Sequence, residues 1–439
     1  MAILTPPAPL PTEHVHKLTR PIKRFFSVQS RASFILLVCV IIAVILSNSS
    51  WSDIYLSIWE SHIQFIAGPL EISKTLRELI NSGAMTLFFF IIALELKREI
   101  TTGELRKPRN ALFSIFSAIG GMLVPALLYW FIMAGHSGQS GWGTVIATDT
   151  AFAMGCLALI GKNVPHSLRV FMLSLAIIDD IGAVLVVAFT TISEIHWFWI
   201  GVAAAGLILV SSMAYLGIRS IFAFFVIGVV IWFTVDLSGV HATITGVILG
   251  LMTPTKKWVG DKLLHTIFSH VIEHDLPNHT IEDLKYRKAL KIAEVAARES
   301  LSPVERLEVI LHPWISYMIL PLFALANAGF NIHLSNFASP VMLGVFLGLV
   351  LGKPLGVMSF GWLAIKVRVA TIPQNLDWTL LAGGSLLTGV GFTMSIFIAE
   401  LSLAPHYLNE AKLGIFLAST LCALMGVVVL YFHTHLKCK

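Results

Sequence analysis

Charge is scarce in this chain. Asp, Glu, Lys and Arg make up 13% of its 439 residues, against roughly a quarter in a water-soluble domain, and that shortage excludes an ordinary soluble fold. Cysteine is scarce too. Of the four, Cys39, Cys156 and Cys422 fall inside apolar runs and Cys438 near the C-terminus, so neither a disulfide framework nor a Cys/His metal set is expected. No glycine-rich phosphate loop and no nucleophile constellation occurs. Those gaps argue against a cofactor, covalent chemistry and an enzyme. The first thirty residues are basic and Pro-rich without a separate apolar core, so no cleavable signal peptide is expected. A pI near 9.0 would suit nucleic acid, but the basic residues lie in alternate loops and not in one patch, which excludes that partner.

Apolar sequence is abundant instead, at 56% of residues and a mean hydropathy of +0.81. Apolar runs recur at about Phe34 to Ser47, Ile80 to Leu94, Ala111 to Ala134, Trp142 to Ile160, Val170 to Ile192, Trp197 to Ile218, Ile221 to Val235, Val240 to Met252, Trp314 to Phe330, Val341 to Ile365, Leu380 to Ala399 and Ala411 to Phe432. About twelve transmembrane helices follow, which makes the fold class an all-α integral membrane protein. Lys17, Arg20, Lys23, Arg24 and Arg31 precede the first run and place the N-terminus in the cytoplasm. The even-numbered spans are then followed by Lys97, Arg98, Arg106, Lys107 and Arg109, by Lys162 and Arg169, by Arg219, by Lys256, Lys257 and Lys262, and by Lys366 and Arg368. The loops after spans three, five, seven and nine carry no Lys or Arg. Residues 1–32 thus read as a cytoplasmic tail, 33–432 as the membrane domain and 433–439 as a second cytoplasmic tail.

Two soluble pieces interrupt the bundle. Residues 62–73 alternate apolar and polar side chains around Gly68-Pro69, the pattern of a small external β-hairpin. Residues 255–301 form a long charged cytoplasmic loop in which Ile281 to Arg298 has helical spacing, and Ser302-Pro303-Val304-Glu305 is a capping box that starts span nine. Two spans look discontinuous: the fourth holds Thr148-Asp149-Thr150, and the eleventh holds Gly383, Gly384, Gly389 and Gly391 just before Thr393. Backbone freed at membrane depth survives only around a buried site, and a pair of interrupted spans in corresponding places points to a secondary transporter with inverted repeats, here spans three to five and ten to twelve.

Away from span ends, the ionisable residues inside the membrane are Asp149, Asp179, Asp180, His241 and Lys353. A carboxylate at bilayer depth costs at least about 2.5 kcal/mol, so such residues mark ion or proton paths. Three carboxylates against one lysine suit a cation. Asp179 and Asp180 stand about 100° apart around a helix and border one cavity from two directions. Their protons leave as a coupled set, and a small cation can replace them. The bland alternative is a structural salt bridge. Lys353 is expected to pair with Asp179 or Asp180, as a proton carrier or as a strut. Asp149 either ligates the ion or neutralises the positive end of a half-helix. Thr148 offers an oxygen, unless it bonds its own backbone. His241 and His312 either report pH or pack as satisfied histidines. Glu95, Lys97, Arg98 and Glu99 cluster at the cytoplasmic end of span two as a topology anchor, and with Glu308 at the start of span nine they could make a funnel or a sensor.

The strings Ala-Thr-Asp-Thr-Ala-Phe-Ala, Ala-Ile-Ile-Asp-Asp-Ile-Gly-Ala, Gly-Val-His-Ala-Thr, Leu-Gly-Lys-Pro-Leu-Gly and Gly-Phe-Thr-Met-Ser-Ile-Phe-Ile-Ala, in that order between Phe34 and Phe432, closely resemble the NhaA-type Na+/H+ antiporters of bacterial inner membranes. That type is itself among the folds behind the rule on interrupted spans used above. The resemblance implies twelve spans, broken fourth and eleventh spans crossing near the midplane, and alternating access. It implies electrogenic exchange, with protons entering and Na+ or Li+ leaving, strengthened at alkaline pH. It makes Asp180 and Asp179 the ion and proton site, Lys353 the partner of Asp179, and Asp149 and Thr148 the residues at the helix break. Glu95, Arg98, Glu99, Glu308 and His312 match the family's cytoplasmic pH-response region, and the hairpin near Gly68 matches its homodimer contact. The chain departs from the pattern in two places beside that region: Val309 stands where the best-known family member has a second histidine, and the 255–301 loop is longer than usual.

Two other functions fit parts of this pattern. A Na+-coupled symporter of an organic solute would share the carboxylate site and the breaks. An intramembrane aspartyl protease would use Asp149 and Asp180 as a proton-sharing dyad, but the Gly-x-Gly-Asp string associated with such enzymes is absent around both.

Overall fold

The computed structural model describes residues 28–436 apart from 68–69, 104–107, 162–163, 191–194, 219, 273–279, 333 and 374–375. Lys17, Arg20, Lys23 and Arg24 of the N-terminal basic cluster, the Gly68-Pro69 turn, and Arg106, Lys107, Lys162 and Arg219 therefore lie outside the described residues.

Among the described residues, eight helices are long and apolar enough to cross a membrane, two further crossings are bent pairs, and Ile221–Leu237 and Thr243–Met252 are shorter apolar helices. Together these account for the twelve runs in order. The first bent pair, Arg31–Ser47 with Ser52–Glu60, turns by 115°. Its second helix leaves the direction of the span, exposing Trp51, Ile54 and Ile58 while burying Tyr55 and Trp59. The hairpin follows, with β1 (His62–Ala67) antiparallel to β2 (Leu70–Thr75) in the register His62↔Thr75 through Ala67↔Leu70. Lys74 of β2 pairs with Asp236 at the end of span seven, which pins the hairpin to the bundle.

Spans three to five (Leu112–Ile132, Gln139–Ile160, His166–Ala188) and ten to twelve (Pro340–Lys366, the bent pair Trp378–Thr388 with Phe392–Ser402, Pro405–His435) each place an interrupted span second of three. Spans three and ten are an odd number of crossings apart, so the two triplets traverse the membrane in opposite senses. The triplets meet where spans three and ten touch backbone to backbone: a Cβ on Gly356 would lie 2.1 Å from the Gly120 carbonyl oxygen. Lipid offers no hydrophobic drive for helix association, so such small-residue contacts carry the packing.

The long loop holds two helices, Asp261–Ile272 and Thr280–Glu299, against one expected. The second helix turns Ala293 and Ala296 inward, and the Val259 amide donates to the Glu299 carbonyl at 3.2 Å to close the root of the loop. Span nine then starts at Pro303 with the expected capping box: the Glu305 amide donates to Ser302 Oγ at 3.3 Å and the Ser302 amide to Glu305 Oε2 at 2.9 Å.

Among the described residues, three single π-turns punctuate the helices, at Ile80–Ala84, Ile315–Ile319 and Gly348–Gly352. The last immediately precedes Lys353. Such turns appear often at functional sites because they leave a carbonyl out of the ladder.

Candidate functional site

Both interrupted spans break at the same place. The first half of span four is a 3-10 helix, Gln139–Val145, and the chain is extended through Ala147 to Asp149 before the helix Thr150–Ile160 begins. In span eleven, Gly389, Val390 and Gly391 separate Trp378–Thr388 from Phe392–Ser402, which are bent by 45°. The two breaks cross and hydrogen-bond: the Asp149 amide donates to the Val390 carbonyl at 2.7 Å, and the Thr148 hydroxyl lies 3.0 Å from the Thr388 carbonyl. Gly389 is required by closeness, since a Cβ there would stand 2.6 Å from both Cys422 Sγ and the Leu349 carbonyl oxygen.

Asp149 serves two helix ends at once. Its Oδ1 accepts from the Phe152 amide at 3.0 Å, and its Oδ2 accepts from the Thr393 amide at 3.1 Å and the Thr393 hydroxyl at 2.6 Å. A helix N-terminus behaves as about half a positive charge, so one carboxylate matches two. Ser419, on unbroken span twelve, completes the second cap: its Oγ accepts from the Gly391 and Phe392 amides at 3.1 and 3.2 Å. Arg169 meets the far end of the Thr150–Ile160 helix, donating to the Gly161 carbonyl at 2.6 Å.

Asp179, Asp180 and Lys353 face this crossing from spans five and ten. Asp179 and Lys353 are completely buried, Asp180 nearly so. Lys353 Nζ lies 2.7 Å from Asp179 Oδ2 and also donates to the Thr148 hydroxyl, which reaches the same carboxylate oxygen at 2.8 Å. Asp180 has only a 3.4 Å contact from the Thr150 hydroxyl to its Oδ2. One oxygen of each aspartate, Asp179 Oδ1 and Asp180 Oδ1, has no hydrogen-bond partner. Two unfilled carboxylate oxygens at mid-membrane are costly as they stand, and a proton or a small cation would satisfy them. The neighbouring crevice, lined by Thr148, Thr150, Met154, Met172 and Thr388 among others, is too narrow for water.

The second cluster lies where spans two and nine meet. Arg98 pairs with Glu308 across the two spans and with Glu99 at 3.3 Å on its own helix. His312 is one turn beyond Glu308 and shares a 3.4 Å hydrogen bond with Ser316. Glu95, one turn from both Arg98 and Glu99, completes the group. Val309 is exposed. His241 is elsewhere, bonded to the Thr243 hydroxyl at 2.8 Å and set edge-on to Phe397 of span eleven with ring centroids 6.0 Å apart. Ser419 and Thr388 were not singled out from the sequence, and Thr150 was named only as part of the break in span four. A lone hydroxyl in an apolar run usually bonds its own helix, so it carries little signal.

A family model for the Na+/H+ antiporter 1 family matches residues 23–430. The chain belongs to that family. Among curated relatives, an Na(+)/H(+) antiporter NhaA 2 of Vibrio vulnificus is 48% identical over 431 residues, covering 98% of this chain and 96% of its own length. An Na(+)/H(+) antiporter NhaA of Rhizobium meliloti is 48% identical over 421 residues, covering 96% of each, and one of Acidiphilium cryptum, named NhaA 1, is 49% identical over 421 residues, covering 96% of this chain and 94% of its own. Family members are named for transport and not for enzymatic turnover. The membrane-spanning, broken-helix fold described above thus belongs to a Na+/H+ antiporter.

Proposed function

We propose that the chain exports Na+, or Li+, in exchange for protons by alternating access, with both ions competing for one seat at Asp180 and Asp179. The observation that carries this reading is the pair of buried, unpartnered carboxylate oxygens, Asp179 Oδ1 and Asp180 Oδ1, beside the only described crossing of two broken helices. Lys353 supplies the countercharge when the seat is empty: with no cation present its ammonium satisfies Asp179. A cation arriving at Asp180 releases protons, and protons arriving from the other side release the cation. More than one proton exchanged per Na+ makes the cycle electrogenic. Asp149 and Thr148 hold the breaks in register, with Gly389, Gly391 and Thr393 forming the opposite break.

The positive loops support a bacterial inner-membrane location with both termini cytoplasmic and a role in internal pH and sodium control. Membrane lipid and, through hairpin 62–73, a second copy of the chain are the partners. The Arg98–Glu308 bridge with Glu95, Glu99 and His312 fits a pH-response group that couples spans two and nine, while His241 holds span eleven from the side of the hairpin.

In everted vesicles, added Na+ should collapse a respiration-generated proton gradient, and Asp180→Asn should abolish the collapse while the protein still inserts. Unaltered exchange in that variant would refute the seat. The protease reading is disfavoured because both oxygens of Asp149 are taken by helix ends. A proton signal that required an added organic solute would favour a symporter instead.

A further inference from the structure

The π-turn before Lys353, followed by Pro354, leaves the Leu349 carbonyl without an amide from its own helix. In that turn the Lys353 amide donates to Gly348 and not to Leu349. The next residue is Pro354, which has no N–H to offer. The Leu349 carbonyl is thereby skipped by its own helix at a residue that is completely buried. Its one described side-chain donor is the Cys422 thiol at 3.9 Å, a weak group. Leu349 stands one turn before Lys353, on the same face of span ten, and its oxygen points at the break in span eleven: a Cβ on Gly389 would be 2.6 Å from it. On either side of Gly389, the Thr388 carbonyl lies within reach of the Thr148 hydroxyl and the Val390 carbonyl accepts from the Asp149 amide. A buried orphan acceptor of this kind calls for a partner, and sodium takes carbonyl oxygens freed by unwound helices.

We propose that the Leu349 carbonyl is a further ligand of the transported sodium ion, supplied by span ten one turn before Lys353 and beside the break in span eleven. The inference rests on the sodium seat at Asp180 and Asp179. The chain carries its own test in the label position: leucine labelled with carbon-13 at its carbonyl should give a sodium-induced infrared difference band, and Leu349→Ile, with isoleucine unlabelled, should remove that band. Pro354→Ala returns the missing N–H to the helix. It should weaken sodium binding in calorimetry by about threefold to tenfold, the worth of one acceptor withdrawn, without lowering thermal stability. A sodium-induced leucine band that survives in Leu349→Ile, no such band at all, or unchanged sodium affinity in Pro354→Ala would overturn the proposal. Asp180→Asn separates the two readings. Lost binding there with unchanged Pro354→Ala overturns the carbonyl ligand and leaves the acid seat standing, whereas retained binding there overturns the seat, and the infrared band decides the carbonyl alone.

Discussion

At the scale of single residues, the proposed seat makes a prediction about pH. On that proposal each ion displaces the other at the acid pair, so lowering pH by one unit should weaken sodium binding roughly tenfold for each proton displaced, and calorimetry across pH reads that slope directly. An affinity indifferent to pH would show that the seat is not shared. Ser419 gives a second prediction. Removing its hydroxyl in Ser419→Ala leaves two buried amides of the Phe392–Ser402 helix without an acceptor, which costs about 1–3 kcal/mol. The melting temperature should fall and the KM for Na+ should rise, with Ser419→Thr restoring both. Asp179, Asp180 and Lys353 were legible in the sequence because a charge inside an apolar run is expensive wherever the chain places it. The residues by themselves left open which aspartate faces Lys353, while the family resemblance implied Asp179, and the structure sets Asp179 there at 2.7 Å. Ser419 was not legible: its role depends on a break twenty-eight residues away, and a serine inside a helix ordinarily bonds the preceding turn.

The helices and their interruptions set the next scale. Gly389→Ala would push a methyl to 2.6 Å from a backbone carbonyl and from the Cys422 sulfur, and the carbonyl cannot yield as a flexible side chain would. Overpacking of this kind costs about 1–3 kcal/mol, so the variant should melt lower and exchange more slowly in reconstituted vesicles. Normal stability and normal exchange would mean that the crossing has slack. Both interruptions were readable from Thr148-Asp149-Thr150 and from the run of glycines, since these residues weaken a helix locally. The 3-10 geometry of Gln139–Val145 and the three π-turns were not readable, because the choice among helix types differs by little locally and is settled by packing against neighbouring spans. Pro354 was a cue in hindsight: a missing N–H forces the carbonyls before it to be shared out differently. In the 255–301 loop the periodic stretch from Ile281 was legible, whereas Asp261–Ile272 was hidden among charged and turn-forming residues.

For the whole molecule, the hairpin and the bundle are joined by Lys74 and Asp236, a partly buried bridge with Trp232 beneath the ammonium at 5.8 Å. Lys74→Met should loosen β2 from span seven and, on the proposed hairpin contact, lower the dimer fraction seen by native mass spectrometry, while exchange in vesicles persists because the proposed seat is built from other spans. A dimer fraction that does not change would place the contact elsewhere. The order of twelve spans and the opposite sense of the two triplets followed from counting apolar runs and alternating positive loops, an arithmetic that lipid makes reliable. How the triplets interlock was beyond that arithmetic, because it depends on Gly120 and Gly356 meeting backbone to backbone. One further property comes from Asp149. A single carboxylate holding the ends of two half-helices ties their motions, so neither can swing while the other stays. Under the proposed alternating access, opening the path to both compartments together would strip two helix dipoles of their one shared counterweight, so the carboxylate that keeps the breaks aligned would also discourage an idle leak of sodium down its gradient.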